Sequence, residues 1–82
     1  MNRIIVIFFA TLRDRAGTKS VEIDIPDGAT VQDIKDLIAR TYPNLAPAME
    51  STLISINREY AFNDNIVPDD AEVAMFPPVS GG

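Results

Sequence analysis

An apolar run near the start of the chain, Ile4 to Phe9, is the feature that most constrains the fold. It holds six consecutive apolar residues, is rich in β-branched and aromatic side chains, and is too short for a buried helix, so it predicts a strand. Because both faces of this strand are apolar, we expect it to be covered on both sides and central in its sheet. The fold must therefore supply a neighbouring strand at each of its edges.

The next segments supply one such neighbour. Residues 11–18 are polar around Gly17 and predict a loop or a short helical turn. Residues 19–25 then alternate between polar and apolar side chains, with a period of two that is typical of a half-buried strand. A turn sequence, Pro26-Asp27-Gly28, ends this strand. The two strands are expected to form a hairpin with a long connection.

One clear helix is predicted, from Thr30 to about Tyr42. Thr30 is a good N-cap residue, and Asp33 stands at the third helical position of a capping box. Pro43 marks the end of the helix. The helix carries an apolar stripe at helical spacing that consists of Val31, Ile34, Leu37, Ile38 and Tyr42.

The second half of the chain predicts further short strands. Residues 44–50 are expected to hold another short turn, and residues 53–57 a third strand. Residues 58–62 continue that strand or form a short edge strand, and residues 72–76 form the last strand. This order predicts an α+β fold, a ubiquitin-like β-grasp with a mixed sheet of four to five strands and one main helix. We expect a domain over residues 1–76 and a flexible C-terminal tail over residues 77–82.

The composition excludes several kinds of chemistry. The 82 residues include no cysteine and no histidine, which excludes disulfides, thiolate metal sites, a catalytic cysteine and imidazole acid–base catalysis. The net charge of −5 argues against nucleic acid and anionic membranes as partners and suits a basic protein partner, or simply keeps a small protein in solution. No convincing targeting segment is present, so a cytoplasmic protein is expected. No metal site is expected.

The final residues are the most informative for function. Pro77 and Pro78 lack an N–H group, so they cannot continue a strand and instead stiffen an extended exit from the sheet. The side chains then become smaller toward Gly81 and Gly82. The five residues after Pro77 span roughly 16–18 Å when they are extended. Glycine has no Cβ, so such an end can pass a narrow channel into another protein. The alternative is a frayed end without a function.

The whole chain resembles the small-subunit family of molybdopterin synthases. The ending Glu72 to Gly82, read Glu-Val-Ala-Met-Phe-Pro-Pro-Val-Ser-Gly-Gly, carries the most specific similarity. The start Ile7 to Arg13, followed by Gly17, and the turn Asn57-Arg58-Glu59-Tyr60 also match the family pattern. One departure is visible, because Asp70 stands where the family usually has glycine in Asp-Gly-Asp-Glu-Val.

The resemblance implies a sulfur carrier. The carboxylate of Gly82 is expected to be adenylated by an ATP-using enzyme, to become a thiocarboxylate, and to donate sulfur to a cyclic pyranopterin precursor of molybdenum cofactor. Expected partners are the synthase large subunit, the adenylating enzyme and a sulfur donor protein, and no cofactor is expected on this chain. The resemblance implies that the tail enters the large subunit and that three aromatic residues contact that subunit. The tail residues are Pro77, Pro78, Val79, Ser80 and Gly81, and the aromatic residues are Phe9, Tyr60 and Phe76.

Alternatives remain open at this point. Core packing is an alternative for each aromatic residue, above all for Phe9, which belongs to the apolar run. Phe76 alternates with Met75, so one of these two should face away from the helix-covered side of the sheet. The alternative functions are a sulfur carrier for thiamine or tRNA thiolation, a ubiquitin-like modifier that links Gly82 to lysines, and a binding module that is never activated.

Overall fold

The structure, a computed structural model, describes residues 2–78. Five strands and three helices lie within that range, and the strands form one sheet. In chain order the elements are β1 (Asn2–Phe8), α1 (Ala10–Ala16), β2 (Ser20–Ile25), α2 (Val31–Thr41), a 3-10 turn (Pro43–Leu45), α3 (Ala46–Met49), β3 (Leu53–Ile56), β4 (Glu59–Ala61) and β5 (Glu72–Phe76).

The sheet order is β2-β1-β5-β3-β4. Strand β1 is antiparallel to β2 and parallel to β5, while β3 is antiparallel to both β5 and β4. The first strand is therefore central and lies beside the last, as the apolar run predicted. The α+β prediction of a five-stranded mixed sheet with one main helix is confirmed, with α1 and α3 as shorter additions.

Strand β1 differs from its prediction in two respects. It ends at Phe8, because the chain turns away at Phe9 and Ala10 has a φ of 52°. Side chains at positions 4, 6 and 8 are buried against α2, whereas Ile5 and Ile7 on the opposite face are only half-buried. The expectation of full cover on both faces is thus wrong for the second face, which carries no helix.

Helix α2 begins as predicted. The Asp33 N–H donates to the Thr30 hydroxyl at 3.3 Å, and the Thr30 N–H donates to the Asp33 carboxylate at 2.9 Å, which completes a capping box. Of the loop or short helical turn predicted for residues 11–18, the helical alternative is confirmed, since α1 runs to Ala16 and ends at Gly17, whose φ of 76° suits glycine. No helix within residues 2–78 is long and apolar enough to cross a membrane.

The turn before β5 places an aspartate in the left-handed conformation that glycine adopts most easily. Asp70 takes the left-handed conformation with a φ of 61°, and its N–H donates to the Arg3 carbonyl at 2.8 Å. The neighbouring Asp69 carboxylate accepts from the Arg3 N–H at 3.0 Å. These two bonds hold the start of β5 beside β1.

Candidate functional site: the outer face of the sheet

The sheet face opposite α2, called the outer face below, brings the predicted aromatic residues to one region. Phe9 follows β1, Phe76 ends β5, and Tyr60 lies on the edge strand β4. The backbone N–H of Phe9 donates to the Met75 carbonyl at 3.1 Å, which extends the β1–β5 pairing by one residue. The left-handed conformation of Ala10 then directs the chain into α1 and leaves the Phe9 ring at the surface.

The rings of Phe9 and Phe76 stack on each other. Their centroids are 4.6 Å apart and their planes differ by 13°. Phe9 is 40% exposed and Phe76 is half-buried, while Met75 on the other face is fully buried. The alternation predicted for Met75 and Phe76 is confirmed, and core packing is excluded for Phe9.

A groove of about 410 Å³ lies between this aromatic pair and Tyr60. Its floor is formed by Ser55 and Ala74, which are directly opposite each other on β3 and β5 and are both buried. Tyr60 pairs with Ser55 across β3 and β4 and is 78% exposed, so it forms the far wall. The groove below denotes the concave surface lined by Phe9, Ser55, Arg58, Tyr60, Glu72, Ala74 and Phe76.

The charged rim of the groove is held by a tight hairpin. Asn57 and Arg58 form the two-residue connection between β3 and β4, with φ values of 51° and 72° as a type I′ turn requires. The Asn57 side-chain oxygen accepts from the Glu72 N–H at 2.9 Å, and the Asn57 N–H donates to the Glu72 carbonyl at 2.8 Å. Arg58 Nε lies 3.9 Å from Glu72 Oε1 in an exposed contact. The apolar groove therefore has one polar end.

The groove lies next to the root of the tail. Pro77, half-buried, and Pro78, exposed, follow Phe76 directly. The other predicted tail residues, Val79, Ser80, Gly81 and Gly82, lie outside the described residues. Sequence reasoning named the three aromatic residues through the resemblance and missed Ser55, Arg58, Glu72 and Ala74, which only the pairing of β3 with β5 and β4 brings together.

The acidic residues of α2 serve local structure. The Asp33 carboxylate belongs to the capping box, and Asp36 accepts a hydrogen bond from the Gln32 amide at 3.0 Å. In the part of the chain that the structure describes, no group of three or more acidic, histidine or cysteine side chains is arranged to hold a metal ion. The groove on the outer face, with its stacked aromatic rings and small floor residues, is suited to binding an apolar side chain of a partner.

Comparisons with known proteins identify the family. The model of the ThiS family matches residues 6–82. The chain belongs to the ThiS family. It is 36% identical over 79 residues to the molybdopterin synthase sulfur carrier subunit of Escherichia coli, covering 94% of this chain and 96% of that relative. The resemblance inferred from the tail and the start of the chain is thus confirmed.

Solved structures of this fold extend the comparison. SAMP1 from Haloferax volcanii has a TM-score of 0.86 and 29% identity, covering 99% of this chain and 100% of that one. The complex of subunits 1 and 2 of the molybdopterin-converting factor from Helicobacter pylori contains a chain with a TM-score of 0.69 and 16% identity, covering 98% of this chain and 99% of that one. At that identity the likeness concerns the fold alone.

Proposed function

We propose that the chain is the sulfur carrier and small subunit of a molybdopterin synthase. The observation that carries this proposal is the near-full-length similarity to the Escherichia coli sulfur carrier subunit. The family match that runs to Gly82 supports it further. The carboxylate of Gly82 is the group that carries the sulfur.

The chemistry follows from what the chain contains. With no cysteine in its 82 residues, sulfur has no side chain to occupy, and the terminal carboxylate remains as the carrier. That carboxylate attacks the α-phosphorus of ATP in an adenylating enzyme and pyrophosphate leaves; sulfide released from a sulfur donor then attacks the acyl carbon, and AMP leaves to give a thiocarboxylate. Its sulfur is nucleophilic without a local base. The acid–base groups for transfer to a cyclic pyranopterin precursor belong to the partner, since this chain has no histidine.

The groove is the docking surface in this proposal. Stacked aromatic rings beside a floor of small side chains leave a recess that an apolar side chain of the large subunit can fill. Phe76 leads directly into Pro77 and Pro78, so a subunit that covers the groove also receives the tail. The net charge of −5 favours a basic rim around the channel that receives Gly82.

The remaining roles belong to other proteins. ATP is used by the activating enzyme, and a separate protein donates sulfur, so the chain itself needs no bound cofactor. We place the reaction in the cytoplasm, without nucleic acid or membrane as partner. The chain acts as a co-substrate that is recharged after each sulfur transfer.

Reconstitution tests this function. The chain is loaded as the thiocarboxylate and mixed with the large subunit from the same genome and the pyranopterin precursor. We expect molybdopterin to form in proportion to the chain supplied, because each chain delivers one sulfur atom. A chain lacking Gly82 and a chain extended beyond Gly82 are the matched controls, and cofactor synthesis with either control would refute the proposal.

A second candidate is a protein modifier. The similarity to SAMP1 favours it, since that protein of Haloferax volcanii is named small archaeal modifier protein 1. A modifier also needs an activated Gly82 but forms isopeptide bonds with lysines of targets. Mass spectrometry of tryptic digests from the native cells would detect lysines that carry a remnant of this C-terminus.

A thiazole synthase that binds the chain more tightly than the large subunit does would instead indicate thiamine synthesis.

A further inference from the structure

A second pocket lies on the other side of Tyr60, at the free edge of strand β4. Its volume is about 450 Å³. The edge pocket below denotes the recess lined by Lys35, Thr52, Leu53, Ile54, Tyr60, Ala61, Phe62 and Asn63. Lys35 is the one charged side chain among these lining residues. The pocket is therefore positively charged in a chain whose net charge is −5.

Lys35 lies on the apolar stripe of α2. It is one helical turn after Val31 and next to Ile34, and only 5% of its surface is exposed. Burial lowers the pKa of its ammonium group from the ordinary value of 10.5, with desolvation as the cause. The buried part is the apolar stem, because residues 2–78 contain no buried side-chain nitrogen or oxygen that lacks a hydrogen-bond partner, and the ammonium group therefore keeps contact with solvent.

No acidic partner for Lys35 is present within residues 2–78. The ion pairs in that range join Arg3 to Asp24 and Arg58 to Glu72. The Thr52 hydroxyl, which lines the same pocket, donates to the Ala48 carbonyl at 2.7 Å. The ammonium group is thus partly desolvated and has no carboxylate partner within residues 2–78, so it can pair with an anion that enters the pocket.

The edge pocket adjoins the groove at Tyr60. Tyr60 lines both recesses, and Leu53 of the edge pocket lies opposite Phe76 in the β3–β5 pairing. Tyr60 and Phe62 are both more than three-quarters exposed and form an aromatic rim. A protein that covers the groove and extends past Tyr60 over the β4 edge therefore meets the edge pocket.

We propose that the partner subunit that covers the groove places an acidic side chain in the edge pocket, against Lys35. This inference rests on the proposed function, which supplies the large subunit as the partner. Acidic side chains of the partner are repelled by most of this chain, so the edge pocket fixes the orientation of docking. The apolar walls exclude water around the ion pair, which strengthens the attraction.

The test compares the affinity of four chains for the large subunit. Lys35→Met keeps the apolar stem and removes the charge, Lys35→Arg keeps the charge, and Lys19→Met changes the chain's only other lysine, which is exposed. We expect Lys35→Met to weaken binding at least about tenfold, as the loss of a charged hydrogen bond does. Lys35→Arg and Lys19→Met should stay within about threefold of wild type.

Thermal unfolding of the free chains separates binding from folding. We expect Lys35→Met to melt at the same or a higher temperature than wild type, because a partly desolvated charge is replaced by an apolar side chain that keeps the stem packing. A stable Lys35→Met chain with weakened binding supports the inference. Lys35→Met binding like wild type would overturn it, since the lysine stem would then serve packing alone.

Two further outcomes are informative. If acetate or phosphate raises the melting temperature of wild type but not of Lys35→Met, the occupant is a small anion and the protein occupant is refuted. If wild type itself does not bind the large subunit, the proposed partner fails, and the inference fails with it. Binding by wild type together with unchanged binding by Lys35→Met contradicts the inference alone.

Discussion

The two faces of strand β5 differ in packing, since one is buried in the core and the other lines an open groove. Val73 and Met75 point into the core and are completely buried, where they meet the side chains of β1, β3 and α2. Ala74 and Phe76 point to the outer face, where Ala74 is the floor of an open groove and Phe76 stacks on Phe9. One strand thus contributes alternately to a filled core and to a surface with an unfilled recess.

This difference separates folding from recognition. Core packing is dense, so a change in side-chain volume there is felt throughout the domain. The groove has open space, so changes there act mainly on what can enter it. Because the side chains of a strand alternate, neighbouring substitutions in β5 can test the two roles independently.

The largest expected effect is on the core side. Met75→Ala should lower the free energy of unfolding by about 2–5 kcal/mol, since it deletes a fully buried side chain. Phe76→Ala, one residue further, should cost less than about 1.5 kcal/mol of stability but weaken binding to the large subunit about 30-fold. Urea unfolding and calorimetric titration measure the two quantities. Equal loss of stability in both variants would break the distinction between the faces.

The next test adds volume instead of removing it. Ala74→Leu should fill the groove, leave the unfolding free energy within about 1 kcal/mol of wild type, and reduce affinity for the large subunit at least about tenfold. Ala71→Leu is the matched control, because Ala71 is a fully buried alanine of the core. Overpacking there should cost about 1–3 kcal/mol of stability. Tight binding by Ala74→Leu would show that the groove is not the docking surface.

A smaller effect is expected at the turn that leads into β5. Asp70→Gly should raise the unfolding free energy by about 0.5 kcal/mol, because glycine takes a φ of 61° without the steric cost of a Cβ atom. Gly28→Ala is the reverse experiment at a φ of 83°, where no neighbouring atom opposes the added methyl group. It should lower stability by about 1 kcal/mol. A lower melting temperature for Asp70→Gly would indicate that the aspartate side chain stabilises this turn.

The smallest effect concerns the pH dependence of Lys35. Its pKa in the folded chain is lowered by burial, so the unfolded chain binds more protons and stability should rise with pH as the ordinary value of 10.5 is approached. Tyr60 is the other titratable residue of the edge pocket and is retained in Lys35→Met. The unfolding free energy of wild type minus that of Lys35→Met should therefore increase from about pH 8 to about pH 10, the range in which the pH approaches the ordinary pKa of lysine. A flat difference would mean that the ammonium is well hydrated.

Much of the fold could be predicted from local chemistry. The capping box at Thr30, the strand over residues 72–76 and the central position of β1 all follow from patterns that span a few residues. The exit of the chain at Phe9 could not be predicted, because it depends on the positive φ of Ala10 rather than on hydrophobicity. Likewise, apolar Ile5 and Ile7 do not reveal that only one face of the sheet carries helices.

The site was predicted only in part. Resemblance named Phe9, Tyr60 and Phe76, but the floor of the groove depends on strand register, which sets Ser55 opposite Ala74. A usable signal was present for Lys35, because it falls on the apolar stripe of the helix at four residues from Val31. A charged residue at such a position indicates either that its apolar stem packs against the core or that its charge pairs with a group of a partner.

The proposed function depends above all on sulfur being carried by the C-terminal carboxylate of Gly82. The most direct test is the intact mass of the chain after incubation with ATP, the adenylating enzyme and the sulfur donor. We expect a mass increase equal to the replacement of one oxygen by sulfur, located in the last peptide and absent when Gly82 is deleted. An unchanged mass, or sulfur found anywhere other than this terminus, would contradict it.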